Sequence, residues 1–356
     1  MKNKIKKILS KRPGLRKNAE ESLVQAIQTL PRITNETVAE HREQVLGRAR
    51  KYIYPLQHSS HRILVLSSLI SSGVLILFFG YCTLALYKFN ASSTFIYKIT
   101  QVVPFPIAKA GPSYVAYENY LFELRRYMHY YETQQRVDFS NESGKRQLAE
   151  FRKRALQTVV SEAYVKQLAK KHNVTVSDGE VNDALALVRS QNRLSSNDKV
   201  FSDVLKDFWG WSVVDFKREL KSQMLEQKVV SVMDVNTSTR AQQALERIQK
   251  GEDFASVAKE VSDDSSTKAN GGDYGFQIDR TDKDLSPQVI NNLFKLKLNE
   301  TSGIINTGST LEILKVTDIS GSKVRASHIM FAFRPISTYV NPLEQKNAPD
   351  QFVNFK

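Results

Sequence analysis

The longest apolar segment of the chain runs from Ile63 to Tyr87 and reads ILVLSSLISSGVLILFFGYCTLALY, 25 residues without a charge. About 20 apolar residues are enough to cross the hydrocarbon core of a bilayer as an α-helix. Charged groups inside such a helix are costly, and this segment has none. The pattern therefore predicts a transmembrane helix over 63–87, with Tyr81 and Tyr87 at one interface and Lys88 reaching the headgroups.

The residues that follow this segment are predicted to form a linker and then a helical module. Residues 88–112 contain three prolines that disfavour regular helix, so this range is predicted as a linker. From Leu148 apolar residues recur every three or four positions, which predicts a long amphipathic helix that ends near His172. Residues 113–235 as a whole are predicted to be all-α.

Two helix starts within this module are marked by capping residues. Ser177 and Glu180 have the spacing of a capping box, in which the serine caps the backbone and the glutamate reaches back to it. Ser212, which follows Trp211, is a second candidate cap. The module is also rich in aromatic residues at helical spacing, and this pattern is more typical of a packed core than of a binding surface.

The pattern changes again after residue 236. A predicted helix covers Thr237–Gln249, and short apolar stretches alternate with glycine-rich turns beyond it. Two stretches, Leu311–Val316 and Val324–Phe331, have strand character and are separated by the short segment TDISGSK. The sequence therefore predicts an α+β domain with a small antiparallel sheet over 236–333 and a C-terminal tail over 334–356.

The charge of the chain is concentrated before the apolar segment. The 356 residues contain 51 Lys and Arg against 37 Asp and Glu, a net charge of +14. Residues 1–62 hold 14 basic residues against five glutamates, so +9 of this excess precedes the predicted span. Lys and Arg stay preferentially on the cytoplasmic side. We therefore expect a cytoplasmic N-terminus, extracytoplasmic domains after residue 88, and no nucleic-acid partner.

The predicted cytoplasmic segment, 1–62, carries no chemistry-bearing motif. Two short helices are expected in it, one over Glu20–Leu30 and one over Asn35–Tyr54 with Asn35 as its cap. Contact with anionic headgroups and a solvated tail that only sets the topology are both compatible with its basic character. A cleaved signal peptide fits poorly, because the apolar run is long and starts late.

The single cysteine and the few histidines limit the chemistry further. Cys82 lies in the predicted span, so an intramolecular disulfide and a cysteine-based zinc site are excluded. The six histidines show no spacing typical of a metal centre, and no nucleophile elbow or zinc-protease motif is present. We expect no metal and no cofactor.

Four short motifs follow one another within residues 237–316. They are GEDF at 251–254, SDDS at 262–265, GGDYG at 271–275 and FKLK at 294–297. In order and spacing they closely resemble the parvulin family of peptidyl-prolyl isomerases, whose pattern is a Gly-x-Asp-Phe helix start, a Ser-Asp-Asp/Cys-Ser turn, a Gly-Gly-Asp-x-Gly turn and a Phe-x-Leu helix end. The resemblance implies an α+β isomerase fold that accepts polypeptides containing proline.

The resemblance also implies site residues. Asp264 takes the Asp/Cys position, Leu285 the Leu/Met position, and Val289 a position that is usually Phe. Glu312 stands where the last strand of the family usually has His. Phe276, after the glycine-rich turn, is a further candidate. On this basis Asp264 and Leu285 are expected at the catalytic centre, and Val289, Glu312 and Phe276 are expected to contact the substrate.

The first strand of the family, which carries an Ala-Ser-His-Ile motif, is missing from its usual place. The motif occurs instead after the last predicted strand, as VRASHIMF at 324–331. Either this stretch pairs back as a hairpin with Leu311–Val316 and supplies His328 to the catalytic centre, or it begins a second parvulin unit. The short intervening turn favours the hairpin.

Residues 113–235 resemble the helical chaperone region of SurA-like and PrsA-like exported foldases. The order of KQLAKKHNVTVSDGEVNDAL, the aromatic FSDVLKDFWGWS and a long helix to QKVV carries this likeness. It implies binding of unfolded or newly exported polypeptides. We expect a membrane-anchored, extracytoplasmic isomerase and chaperone. The alternative is a holdase chaperone with a degenerate, inactive parvulin domain, which the departures at Val289 and Glu312 favour.

Overall fold

The structure is a computed structural model, and it describes Gln25 and residues 34–53, 56–191 and 197–355. Gln25 is helical, and the rest of the helix predicted over Glu20–Leu30 lies outside the described residues. The chain divides into two compact units, Met1–Tyr81 and Cys82–Lys356.

The first unit contains helix α1, Asn35–Ile53, and most of helix α2, Leu56–Thr83. The predicted helix over Asn35–Tyr54 is confirmed, but its cap is Thr34 rather than Asn35. The Thr34 hydroxyl accepts the backbone N–H of Thr37 at 3.3 Å, so the cap is one residue earlier than expected.

The apolar helix predicted over 63–87 is present. Within the described residues one continuous helical stretch, Ile63–Lys88, is long and apolar enough to cross a membrane, and its most apolar part is not buried in the protein. The helix closes with a π-helical turn over Leu84–Lys88. Ala85 and Leu86 in that turn belong to the core of the second unit, where the Tyr117 hydroxyl donates to the Leu86 carbonyl at 2.8 Å.

The range predicted as a linker, 88–112, is instead ordered and packed. It contains helix α3, Thr94–Val102, and strand β1, Pro106–Ala110, which pairs with strand β2, Ser113–Ala116. The prolines did not prevent this, because two of them follow the end of α3 and the third lies in the turn between the strands.

The helical module is present, but the prediction that 113–235 is all-α is wrong at its start, where Ser113–Ala116 forms strand β2. The module consists of α4, Tyr117–Thr133; α5, Glu142–Lys171; α6, Asp178–Gln191; α7, Asp198–Trp209; and α8, Val213–Met233. The apolar stripe of α5 faces the core. The predicted caps are also present. Ser177 and Glu180 bond reciprocally, and Ser212 forms a capping box with Asp215. Several of the aromatic residues are buried: Tyr120, Phe122 and Trp211.

The second module combines helices with a three-stranded antiparallel sheet. Its helices are α9, Val235–Gln249; α10, Phe254–Val261; and α11, Pro287–Leu293. Its strands are β3, Ile305–Asn306; β4, Thr310–Ser320; and β5, Lys323–Ala332, in the order β3-β4-β5. Strands β4 and β5 form one long hairpin. Of the two arrangements left open by the sequence, the hairpin is confirmed, and VRASHIMF completes the sheet.

The C-terminal range predicted as a tail, 334–356, returns to the first module. It contains helix α12, Ser337–Lys346, and strand β6, Asp350–Gln351, which pairs with β1. Val340 and Val353 are buried in the core of the helical module. The pattern missed this docking, because a two-residue strand has no periodicity and its partner lies far away in the sequence.

Candidate functional site

The loop that follows α10 is held against strand β5 by several hydrogen bonds. The Ser262 hydroxyl accepts the backbone N–H of Met330 at 3.2 Å, and the Asp263 N–H donates to the Met330 carbonyl at 2.8 Å. The Asp263 carboxylate accepts the Ala332 N–H at 3.0 Å and forms an ion pair with Arg240 at 2.7 Å. These contacts fix the loop beside the C-terminal end of β5, so the next residue, Asp264, faces the strand.

The glycine-rich turn lines the same edge of β5, nearer the start of the strand. The His328 N–H donates to the Gly272 carbonyl at 2.9 Å, and an isolated bridge joins Asp273 to Ser327. Gly272 has a φ of +83°, and a Cβ added there would lie 2.1 Å from the His328 carbonyl oxygen. Only glycine allows the two backbones to approach this closely.

The structure brings Asp264 and His328 into direct contact, although 64 positions separate them. The Nε2 of His328 lies 2.9 Å from Oδ2 of Asp264. The Thr267 hydroxyl donates to the same oxygen at 2.6 Å and lies 3.0 Å from Nε2. Both side chains are largely buried, with 6% of His328 and 18% of Asp264 exposed. Loop and strand together therefore form a compact polar cluster.

Asp264 is held as an anion. Burial alone would raise its pKa, but hydrogen bonds from Ser266, Thr267 and His328 outweigh that effect and keep the pKa well below its usual range. Its Oδ1 accepts the backbone N–H of Ser266 at 2.9 Å and the Ser266 hydroxyl at 2.6 Å. The carboxylate is therefore rigid, and both of its oxygens have donors.

Glu312 contacts the other ring nitrogen of His328. In the β4–β5 register Glu312 pairs with Met330 and His328 with Leu314, so the two side chains are diagonal neighbours on one face of the hairpin. The Nδ1 of His328 lies 3.1 Å from Oε2 of Glu312. Both ring nitrogens thus face carboxylates, and both contacts are hydrogen bonds only when both nitrogens carry protons.

Tyr274 covers the face of the His328 ring. The two rings are stacked with centroids 4.2 Å apart and an interplanar angle of 27°. The Tyr274 hydroxyl donates to Oε2 of Glu312 at 3.4 Å. Burial and the nearby Glu312 carboxylate raise the pKa of this hydroxyl, so it keeps its proton as a donor. Tyr274 therefore contacts both His328 and Glu312.

The apolar candidates lie beside this cluster at different depths. Leu285 is half-buried and packs in the same apolar cluster as Tyr274. Phe276 is exposed, with its ring centroid 6.1 Å from that of Tyr274. Val289 is only 1% exposed and lies in the core. In this structure the Val289 side chain packs in the same apolar cluster as Leu285, and its contact with a substrate stays a prediction.

The polar cluster does not resemble a metal centre. Asp264 and Glu312 bond opposite nitrogens of one imidazole, so the three groups do not converge on a common point. Among the residues that the structure describes, no group of three or more His, Cys, Asp or Glu side chains is arranged to hold a metal ion.

Two family models match the chain. The PPIC-type PPIASE domain model matches residues 226–318, and the SurA-like N-terminal domain model matches residues 63–230. Residues 63–230 are therefore similar to SurA-like N-terminal domains, and residues 226–318 are similar to PPIC-type PPIASE domains.

Named relatives agree with these two matches. The chain is 30% identical over 195 residues to the "Foldase protein PrsA" of Caldanaerobacter subterraneus subsp. tengcongensis. That alignment covers 50% of this chain and 60% of the relative. It is 32% identical over 149 residues to the "Chaperone SurA" of Albidiferax ferrireducens, and that alignment covers 37% of this chain and 30% of the relative. The chain thus spans less than two thirds of both relatives.

A solved structure was also matched, the foldase protein PrsA from Streptococcus pneumoniae str. Canada MDR_19A. The match covers 58% of this chain and 80% of that chain at 19% sequence identity. Its TM-score is 0.19, so it carries no argument about the fold.

The PPIC-type match ends before His328. The matched range closes at residue 318, within β4, whereas His328 lies on β5. The hairpin returns β5 to the matched domain and places its histidine against Asp264. Thr267 and Tyr274 were not singled out from the sequence. Thr267 stands three residues after Asp264, just beyond the Ser-Asp-Asp-Ser turn, and this proximity was the one local signal that pointed to it.

Proposed function

We propose that the chain is a membrane-anchored, extracytoplasmic peptidyl-prolyl cis-trans isomerase of parvulin type that assists the folding of exported polypeptides. The observation that carries this proposal is the 2.9 Å contact between Asp264 and His328. These are the acid and the first-strand histidine that the parvulin resemblance implies. They reach each other although the histidine strand follows the domain instead of preceding it.

The chemistry of the site fits a reaction without a covalent step. Rotation about an X-Pro bond crosses a barrier of ~18–20 kcal/mol, which falls when the enzyme binds the twisted amide better than the planar one. Asp264 and His328 are held by fixed hydrogen bonds, so their charges and dipoles need no reorganisation as the amide twists. In this proposal both are catalytic residues.

The other residues of the site have supporting roles in the proposal. Leu285 and Phe276 form the apolar wall against which the proline ring packs. Glu312, expected from the sequence to contact substrate, points its carboxylate at Nδ1 of His328 at 3.1 Å. We therefore assign Glu312 as a positioning residue that holds the imidazole from behind.

The holdase alternative also has a structural feature in its favour. A cleft of about 340 Å³ opens in the helical module between α4, α5 and α8. Apolar side chains from each helix line it, Phe122, Val159 and Leu225, among charged residues of both signs. Such a cleft suits binding of varied unfolded segments. Holding and isomerising clients are compatible in one chain, so the alternative differs only in predicting no isomerase activity.

Membrane anchoring rests on the apolar helix and the charge asymmetry. The helical stretch Ile63–Lys88 has the length and composition of a span. The +9 balance of residues 1–62 favours a cytoplasmic N-terminus, which leaves the SurA-like and PPIC-type domains outside the cytoplasm. The bilayer and unfolded exported polypeptides are then its two partners, and nucleic acid is not one.

The isomerase proposal is tested with the full chain in detergent micelles. Cis/trans exchange of a proline-containing tetrapeptide is measured for the wild type, for His328→Ala and for the control His41→Ala, whose side chain is exposed on α1. We expect acceleration by the wild type and the control, and a loss of about tenfold or more, ~1.4 kcal/mol, for His328→Ala. Exchange no faster than in buffer for the wild type would support the holdase alternative instead.

A further inference from the structure

The segment that follows the apolar helix exposes large apolar side chains to solvent. Phe89 is 71% exposed, Phe95 58% and Val102 83%. Phe95 and Val102 lie on one side of α3, seven residues or about two turns apart, with Lys98 exposed between them. We call these four residues the outer face. Such a concentration of exposed apolar groups within 14 residues is unusual for a surface that meets only water.

The inner side of α3 fixes this helix to the second unit. Ile96 and Thr100 are buried, so the side of α3 that carries Phe95, Lys98 and Val102 points away from the protein. The Arg125 guanidinium donates to the Ser92 carbonyl at 2.9 Å and to the Thr94 hydroxyl at 3.1 Å, which holds the start of the helix. Phe95 and Val102 are therefore presented by an anchored helix and cannot turn inward without breaking these contacts.

The charge along this part of the chain has one sign. No Asp or Glu occurs between Glu43 and Glu118, and Lys88 and Lys98 flank the exposed aromatic residues. Basic residues beside a membrane are attracted to anionic headgroups. An acid-free surface of aromatic, aliphatic and lysine side chains is the composition of a helix that lies in a bilayer interface.

The length of the apolar helix also places the outer face near the headgroups of the bilayer. A helix from Ile63 to Leu84 has 22 residues and is about 33 Å long, close to the ~30 Å thickness of the hydrocarbon core. Phe89 is five residues beyond Leu84, which places it in the headgroup region if the helix spans the membrane. Interfacial segments bury Trp, Phe and Leu side chains at the boundary between headgroups and acyl chains.

We propose that the outer face, Phe89, Phe95, Lys98 and Val102, lies on the surface of the same bilayer that the apolar helix crosses, in contact with anionic lipid headgroups. This rests on the proposed membrane anchoring. Because α3 belongs to the second unit, this contact attaches that unit to the membrane through α3 as well as through the chain that leaves the apolar helix.

The test uses the full chain in lipid nanodiscs, with Cys82 replaced by Ala and an environment-sensitive NBD label on one new cysteine at a time. Phe95→Cys and Val102→Cys report on the outer face. Ile70→Cys lies within the apolar helix and reports on the anchor. Val214→Cys, at a residue that is about as exposed as Val102 but belongs to α8, is the matched control. Each is measured with ordinary and with brominated phosphatidylcholine.

We expect brominated lipid to quench the labels at 95 and 102 at least twofold more than the label at 214. Quenching at 70 with none at 95 and 102 overturns the outer-face proposal and leaves the anchor standing. No quenching at 70 overturns the anchor and the outer face together. A blue shift at 95 that requires added unfolded polypeptide, and not lipid, assigns the face to clients and also overturns the proposal.

The role of Lys98 is tested by lipid charge. In nanodiscs that contain phosphatidylglycerol, Lys98→Glu should reduce the quenching at 95, whereas Lys259→Glu, an exposed lysine on α10, should not. In phosphatidylcholine alone the two variants should behave alike. Equal quenching for Lys98→Glu and Lys259→Glu in both lipids would contradict the contact with anionic headgroups.

Discussion

Tyr274 and His328 form a stacked pair, with ring centroids 4.2 Å apart. The Tyr274 hydroxyl also donates to the Glu312 carboxylate, which contacts Nδ1 of the same histidine. The imidazole is therefore fixed in three ways, by Asp264 at Nε2, by Glu312 at Nδ1 and by the Tyr274 ring on its face. The expected departure from the parvulin pattern at Glu312 is accommodated by this arrangement.

Two substitutions of Tyr274 should distinguish the contribution of the ring stack to activity from that of the hydroxyl group. Tyr274→Leu removes both, and loss of a ring stack of ~1 kcal/mol lowers kcat/KM by about fivefold. Tyr274→Phe keeps the stack and removes only a long hydrogen bond, so its loss should be less than about threefold. NMR of the His328 ring nitrogens should show a change for Leu and little for Phe. Equal effects of the two variants on rate and spectrum would contradict the stack as the positioning contact.

The close approach at Gly272 predicts a specific loss of stability. Gly272→Ala brings a Cβ against the His328 carbonyl, whereas Gly275→Ala, at a nearly identical φ of +81°, meets nothing within 4 Å. Both variants carry the strain of positive φ, about 1–2 kcal/mol. Gly272→Ala should cost about 2 kcal/mol more than its control, because the backbones must separate. The free energy of unfolding is read from hydrogen exchange of the β5 amides, and similar values for both variants would refute the clash.

The junction between the two modules depends on a buried carboxylate. Asp234, at the start of α9, is fully buried and accepts the Arg334 backbone N–H at 2.9 Å and the Arg334 guanidinium at 3.0 Å. Asp234→Asn should lower the free energy of unfolding by about 1.5–3 kcal/mol near neutral pH. The exposed Asp207→Asn on α7 is the control and should change it by less than about 0.5 kcal/mol.

The pH dependence of that difference has a defined sign. Burial would raise the pKa of Asp234, but hydrogen bonds from Arg334 and Thr237 outweigh it and leave the pKa below its ordinary value. A group whose pKa is lower in the folded state stabilises the protein above its unfolded pKa of about 3.9 and loses that contribution as the pH falls through the folded value. The gap between wild type and Asp234→Asn should thus be constant above about pH 5 and shrink below about pH 4. A gap that grows with acid would contradict the assignment.

Restoring the usual phenylalanine at position 289 should harm the protein rather than improve it. Val289 is enclosed in the core, so Val289→Phe overpacks it and costs about 1–3 kcal/mol. The matched control Val214→Phe, on the exposed side of α8, should be within about 0.5 kcal/mol of the wild type. Higher isomerase activity in Val289→Phe without loss of stability would show that Val289 faces the substrate after all.

Local patterns predicted local structure well. The capping box at Ser177 and the cap at Ser212 depend on residues three positions apart, and both formed as expected, while the returning bond from Asp215 to Ser212 was not predicted. The Asp264–His328 contact could be predicted from the sequence because both residues belong to recognisable motifs and the turn between β4 and β5 is short. Tyr274 was missed because its stack depends on how the glycine-rich turn lies along β5, which no spacing within the chain encodes.

The ranges 88–112 and 334–356 were misjudged for a related reason. Their strands, β1 and β6, pair with each other across most of the chain, and β6 contains two residues. Such short elements are stabilised by partners that are distant in sequence, so they leave no periodic signal. The sequence predicts Asn35 as a cap where Thr34 is the cap, a shift of one residue that lies within the usual spread of helix ends.

A double-mutant cycle on Asp264 and His328 tests the central claim most directly. The kcat/KM for cis/trans exchange of a proline tetrapeptide is measured for the wild type, Asp264→Asn, His328→Ala and the double variant. Circular dichroism checks that the full chain is folded in each case. If the two residues act as one site, each single change lowers kcat/KM by about tenfold or more, and the double variant is no worse than the weaker single one. Losses that multiply in the double variant, or single variants as active as the wild type, would contradict it.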